Sequence, residues 1–327
     1  MFSFVMAMAP YRISFFGGGT DYPAWYRENP GAVLATSIDK YCYILCRRLP
    51  PFFEEKNRVV WSQIELTQAV DEIRHPAVRE ALKAMVMEGM EIHHAGDLPA
   101  RAGMGTSSAF TVALVHALHA LNCHELAKRQ LALEAIRIEQ DMIKENVGSQ
   151  DQTISAFGGF NRIDFNREHE IKVTPIHSLR LNELEASLML FFTGFSRTAS
   201  TIAQDQIDNM QKNKSILPEM YALVDEGVKI LTGESKLAEF GRLLGETWKM
   251  KRRLARKVTT DYIDYIYSNA ISAGAIGGKL LGAGGGGFIL FYVEPDLQPR
   301  VKERLSSLLN VPFKFEKRGS QIIFNGG

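Results

Sequence analysis

A chain of 327 residues, 46% hydrophobic and 23% charged, can bury one large or two medium cores, which excludes a disordered segment. Its 38 Lys plus Arg against 37 Asp plus Glu leave no net field for nucleic acid or an anionic membrane, so a small-molecule partner is expected. Cys42, Cys46 and Cys123 lack disulfide or zinc spacing, residues 1–9 lack a signal's basic flank, and no apolar run reaches the roughly 20 residues of a membrane span; a cytoplasmic monomer or homodimer is expected.

In chain order, residues 10–16 and 32–46 are rich in β-branched and aromatic side chains, with breaks at Gly17-Gly18-Gly19 and Pro30-Gly31, and predict strands. Helical spacing follows over 76–87, then a short strand at 91–95. A Gly/Ser/Thr segment at 103–108 opens an apolar helix over about 109–121. A second helix is predicted over 126–144, with Leu131, Ala135, Ile138 and Met142 on its buried stripe, broken at Gly148. Strands are expected at 171–176 and 187–193, with a domain boundary near 180 that divides the chain into 1–180 and 181–327. Residues 199–272 read as helical with interruptions at Pro218 and Thr232-Gly233. A glycine-rich stretch at 274–287, a strand at 288–293, a helix at 300–309 and closing strands at 313–315 and 321–324 complete an α+β pattern.

Four constellations carry chemistry. In Pro99-Ala100-Arg101-Ala102-Gly103-Met104-Gly105-Thr106-Ser107-Ser108, small residues let backbone N–H groups approach a polyanion at a helix N-terminus, and the hydroxyls can bond phosphate or magnesium. The bland alternative is an ordinary Ser-capped helix start. A Walker A loop is excluded because Gly278-Lys279 precedes Leu280, and a dinucleotide fingerprint fails at Ser108. Glu139 and Asp151, flanking the end of the second helix, can divide the labour of holding magnesium and receiving a hydroxyl proton, or can be solvated acids like Asp141 and Glu145. The run 282–287 means either close approach of backbone to a ligand or tight interdomain packing. Finally, a strand ending in Gly17-Gly18-Gly19-Thr20-Asp21 offers an exposed carboxylate to sugar hydroxyls, with Arg12 behind it, or is a plain turn capped by Asp21.

These four segments, in this order, resemble the GHMP kinase superfamily over nearly the whole chain. The resemblance implies an α+β GHMP kinase fold, with a left-handed β-α-β crossover in the N-terminal domain and a ferredoxin-like C-terminal domain. It implies ATP and Mg2+ as cofactors, with ATP on residues 99–108 and on Gly284 and Gly285. A serine of the loop and Glu139 would hold the magnesium. Alignment from Pro99 selects Ser107 and alignment from Ala109 selects Ser108, which is favoured. Asp151, twelve positions after Glu139, would activate the acceptor hydroxyl, with Arg12 beside it to steady the transferring phosphoryl group. Gly18, Gly19, Thr20 and Asp21 would meet the sugar. The Gly-Gly-Gly-Thr-Asp form is similar to that of bacterial kinases of D-glycero-D-manno-heptose 7-phosphate within the family; fucokinase-type members share the Gly-Thr-Ser-Ser loop. For a sugar phosphate, Arg197 in its Gly-turn is a candidate for the remote phosphate, with a solvated surface arginine as the alternative.

Overall fold

The computed structural model describes residues 4–167, 170–194, 199–209, 214–255 and 258–326. Among them thirteen strands run in chain order: β1 (Phe4–Phe16), β2 (Gly31–Arg48), β3 (Asn57–Val60), β4 (Ile64–Thr67), β5 (Met90–Gly96), β6 (Phe160–Phe165), β7 (Ile171–Pro175), β8 (Leu188–Phe192), β9 (Gly277–Leu280), β10 (Phe288–Tyr292), β11 (Leu309–Asn310), β12 (Phe315–Glu316) and β13 (Gln321–Asn325). The helices are α1 (Pro23–Tyr26), α2 (Pro76–Ala84), α3 (Thr106–Leu121), α4 (Lys128–Arg137), α5 (Gln150–Phe157), α6 (Leu181–Ala186), α7 (Ala199–Asp208), α8 (Ile216–Thr232), α9 (Ala238–Leu254), α10 (Asp261–Ala273) and α11 (Gln298–Arg304). No helix among the described residues is long and apolar enough to cross a membrane.

The strands divide into a nine-stranded and a four-stranded sheet. β2 organises the first: it pairs with β1 along its length, with β6 through residues 31–36 and with β5 through residues 42–48. β1 explains why. Its outer half alternates partly exposed Phe4, Met6 and Met8 with buried Val5, Ala7 and Ala9, whereas from Pro10 to Phe16 every residue is buried, so the strand passes from one covered face to two. Register slips between Pro10 and Arg12 and between Ser14 and Phe16 mark bulges, which suit a residue that has no N–H to give and re-aim the side chains beside them. The second sheet has the antiparallel order β11-β8-β10-β9. β12 and β13 then return to the first sheet, against β2 and β1.

The apolar helix α3 is buried on almost every side and packs against β1 and β2. α9 covers β9 and β10. A single apolar cluster joins the two halves, with Phe15 and Phe16 of β1 edge-on to Phe240 of α9, at ring centroid distances of 5.3 and 4.9 Å.

Several details depart from the sequence expectation. Pro218 does not interrupt a helix; it sits in the first turn of α8, where a missing N–H costs nothing. Thr106 to Ser108, expected in the loop, already belong to α3. The predicted second helix closes in a π-turn over Ile138–Met142, with the N–H of Ile143 reaching back to the carbonyl of Ile138 at 2.9 Å. The short helix α5 and the strand β6 after it were not foreseen, because Ser and Gln at 149–152 carry little helical signal of their own.

Candidate active site

A cleft of about 880 Å³ opens between the end of β1, the start of α3, the segment 144–151 and the C-terminal glycine loop. Each wall follows from local chemistry. Gly103 and Gly105 adopt positive φ angles of 82° and 69°, which lets the loop turn sharply into α3 and leaves the first N–H groups of the helix without intrahelical partners. Arg101 shares that conformation (φ 58°), and its N–H is held by the Thr106 hydroxyl at 3.2 Å. Arg101, Gly103, Gly105, Thr106, Ser107 and Ser108 all line the cleft.

Arg12 reaches Asp151 across 139 positions of sequence. Its Nε donates to Oδ1 at 2.7 Å and its Nη2 to Oδ2 at 2.8 Å, a two-pronged pair, while Nη1 donates to the carbonyl of Gly103 at 2.7 Å. The Arg12 side chain is 5% exposed and that of Asp151 23%, so the acid presents the accessible edge. The phosphate-type loop lies against this edge: a Cβ on Gly105 would stand 3.2 Å from Asp151 Oδ2.

Glu139 projects from the π-turn into the wall behind α3, almost fully buried. Ser108 Oγ donates to it at 2.8 Å, Thr111 Oγ1 at 2.6 Å, and the Gln152 amide donates as well. Burial pushes its pKa up to about 7; the three donors pull it down and Glu145 adds to the rise. No cation pairs with it among the described residues. A buried carboxylate with hard oxygen donors and no counter-charge fits a magnesium ion in ligand type, but Glu139 stands behind the cleft wall and only its partner Ser108 lines the cleft itself. No three His, Cys, Asp or Glu side chains converge among the described residues, so protein carboxylates alone would not complete the ion's shell.

Asp21 corrects the expectation of an exposed carboxylate. It lines the cleft but is 1% exposed, with Oδ1 accepting from the N–H of Gly19 at 2.9 Å and Oδ2 from the Gln150 amide at 2.9 Å. Gly148 makes room for it, since a Cβ there would sit 1.9 Å from Oδ2. Burial first, and the nearby Asp151 second, raise its pKa to about 6 from an ordinary 3.8. The folded state therefore holds this proton more tightly than the unfolded chain, and stability is lost as pH rises from about 4 to 6. We expect the stability of the ligand-free protein, relative to Asp21→Asn, to fall by roughly 3 kcal/mol across that window in urea titrations; a difference independent of pH would refute the assignment.

Gly18 and Gly19 line the cleft. Thr20 does not: it is fully buried, and its hydroxyl donates to the carbonyls of Gly17 and Ala32, at 2.8 and 2.9 Å. Met104 is buried beneath the loop and Pro99 stands at its entrance, both off the cleft surface. The glycine run serves packing more than ligand approach. A Cβ on Gly282 would meet Gly103 Cα at 2.3 Å and one on Gly284 would meet the Val258 carbonyl at 2.8 Å. Gly284 and Gly285 do not line the cleft, and the N–H of Gly285 is given to the Val258 carbonyl at 3.0 Å. Gly282 and Ala283 line it instead. Arg197 lies outside the described residues.

Sequence reasoning passed over Ser14, Gln150, Lys251 and Lys279, all of which line the cleft. Ser14 Oγ and Gln150 Oε1 are buried without a hydrogen-bond partner among the described atoms. Lys279 Nζ donates to the carbonyls of Ser14 and Phe15, at 2.9 and 2.8 Å, and burial holds its pKa well below the ordinary lysine value. Its signal was a lone charge in Gly277-Gly278-Lys279-Leu280, a segment otherwise suited to burial on both faces.

Two family descriptions match the chain, GHMP kinases N terminal domain over residues 67–159 and GHMP kinases C terminal over residues 229–311, together more than half its length. The chain belongs to the GHMP kinases and is an ATP-dependent phosphotransferase. Among curated relatives it is 29% identical over 308 residues to the D-glycero-alpha-D-manno-heptose 7-phosphate kinase of Campylobacter jejuni, covering 89% of this chain and 90% of that protein. It is also 29% identical over 355 residues to the L-fucokinase/L-fucose-1-P guanylyltransferase of Bacteroides fragilis, covering 94% of this chain but 36% of that longer protein. Among solved structures, a D-glycero-D-manno-heptose 1-phosphate kinase from Bacteroides thetaiotaomicron superposes with a TM-score of 0.72 at 24% identity, covering 98% of this chain and 99% of that one. A mevalonate kinase superposes with 0.73 at 16% identity, covering 96% and 100%. These superpositions establish the GHMP kinase fold.

Proposed function

We propose that the chain phosphorylates the anomeric hydroxyl of D-glycero-D-manno-heptose 7-phosphate to give the 1,7-bisphosphate, on a route to nucleotide-activated heptose for surface polysaccharide. The observation that carries the chemistry is the Asp151 carboxylate, gripped by Arg12 and set against Gly105 of the phosphate-type loop. The similarity to the Campylobacter jejuni heptose 7-phosphate kinase over 89% of the chain favours the sugar.

In this reading the nucleotide phosphates lie over residues 103–108 and receive the free N–H groups of α3. Ser108 and Glu139 would hold magnesium, which when bound neutralises triphosphate charge. Asp151 takes the proton of the attacking hydroxyl, the hydroxyl oxygen forms the new P–O bond, and ADP departs with the electrons of the broken one. Asp21, Gly18 and Gly19 face the sugar, with the orphaned Ser14 hydroxyl available to it. Positioning and charge account for most of the acceleration, and the base supplies a smaller share of it. We place the division between the two domains near residue 180, with β12 and β13 crossing back to the first sheet.

The test is ADP release over a sugar panel. We expect kcat/KM for the heptose 7-phosphate to exceed that for unphosphorylated heptose, L-fucose and galactose by at least about tenfold, the contribution of a charged contact to one phosphate. A preference for L-fucose would replace the heptose assignment with the fucokinase reading that the Bacteroides fragilis relative supports. Absence of ADP release with every sugar would leave a non-catalytic sensor.

A further inference from the structure

Helix α9 brings a second cation to the cleft. Lys251, three residues before the end of α9, is 8% exposed and lines the cleft. Its ammonium donates to the carbonyl of Leu280 at 2.8 Å and to that of Gly282, which leaves one of three N–H groups for the cleft. Gly282 is the residue that abuts Gly103, and Arg12 grips the Gly103 carbonyl. Lys251 is thereby tied to the glycine loop and Arg12 to the phosphate loop, at the point where the two loops meet.

Their partners differ. Arg12 is neutralised by Asp151, whereas Lys251 has no carboxylate within ion-pair reach among the described residues. A buried ammonium satisfied only by carbonyls is costly, and burial, with Arg12 nearby, pushes its pKa down to about 7. An anion entering the cleft beside it would relieve that cost. Lys279 is committed differently, to two carbonyls of β1 at the sugar end.

We propose that Lys251 is a second catalytic cation, contacting the γ-phosphoryl oxygens as that group passes from nucleotide to acceptor. This rests on the kinase reading above. As the bond to the β-phosphate oxygen breaks and the bond to the sugar oxygen forms, charge spreads over three equatorial oxygens. Arg12 has given three of its five N–H groups to Asp151 and Gly103 and its charge is paired with Asp151, so the remaining donor of Lys251 adds a positive charge that no protein carboxylate among the described residues offsets.

The experiment compares equilibrium binding of a non-hydrolysable ATP analogue and of ADP, in wild type and in Lys251→Met. We expect the analogue to bind at least about tenfold more weakly to the variant, ADP to stay within about twofold, and kcat to fall further than the sugar KM rises. Lys251→Gln, which keeps a donor for the two carbonyls, should give the same result where their loss unfolds the Met variant. Equal weakening of both nucleotides would make Lys251 a structural residue and overturn the proposal, as would no weakening of either. A wild type that binds neither nucleotide would instead remove the kinase reading itself.

Discussion

Asp151→Asn lowers kcat by about 10² to 10⁴-fold, the usual contribution of a positioned general base, while the affinity for a non-hydrolysable ATP analogue changes only a few-fold. The amide keeps the shape of the carboxylate but cannot take the hydroxyl proton. It also turns one of its two ends from acceptor to donor, so one of the two bonds from Arg12, at 2.7 and 2.8 Å, is lost. The loop that holds the phosphates is fixed independently, through the Gly103 carbonyl on Arg12 and the Met104 carbonyl on the Arg12 N–H at 3.1 Å. The effect therefore belongs in turnover. Steady-state kinetics beside calorimetric nucleotide binding decide it, and normal turnover of the variant would remove Asp151 as the base.

Gly282→Ala is expected to have the second large effect, this time on nucleotide binding and stability together. Its φ of 69° is strained for alanine by about 1–2 kcal/mol, and the added Cβ would lie 2.3 Å from Gly103 Cα, a contact that backbone must yield to. The glycine loop and the phosphate loop are pushed apart, and the carbonyl bond to Lys251 is disturbed with them. We expect a loss of about 3 kcal/mol or more in stability and at least a tenfold rise in KM for ATP, with the sugar KM little changed. Denaturant titration and initial rates measure both, and an unaltered KM for ATP would mean that the two loops do not depend on each other.

The site was legible in sequence where chemistry is written in spacing. The Gly/Ser/Thr entry to α3 could be read from its chemistry, because small residues and hydroxyls at a helix start suit phosphate, whereas Glu139 and Asp151, twelve positions apart, were singled out from other acids by the resemblance to the GHMP kinases. The π-turn that aims Glu139 inward leaves no mark on a pattern of apolar residues, since it alters one turn of a helix whose stripe is otherwise ordinary. Asp21 looked exposed because a Gly-Gly-Gly-Thr-Asp turn reads as surface. Its burial is created by Gly148 and Gln150, which approach only after the chain has folded. Lys251 was hidden for a similar reason: in Trp248-Lys249-Met250-Lys251-Arg252-Arg253 it is one cation among four, and only the packing of α9 on β9 picks out the one that is enclosed. The glycine run left two readings open, ligand approach or tight packing, and the structure brings main chain against main chain at Gly282, Gly284 and Gly287.

The return of β12 and β13 to the first sheet also bears on how the protein is made. β1, which carries Arg12, emerges from the ribosome some three hundred residues before its neighbour β13. Until then one flank of β1 has no strand to pair with, a vulnerable template for mispairing in a nascent chain. Assembly of the strand that carries Arg12 into its finished setting must wait until β13 has been made.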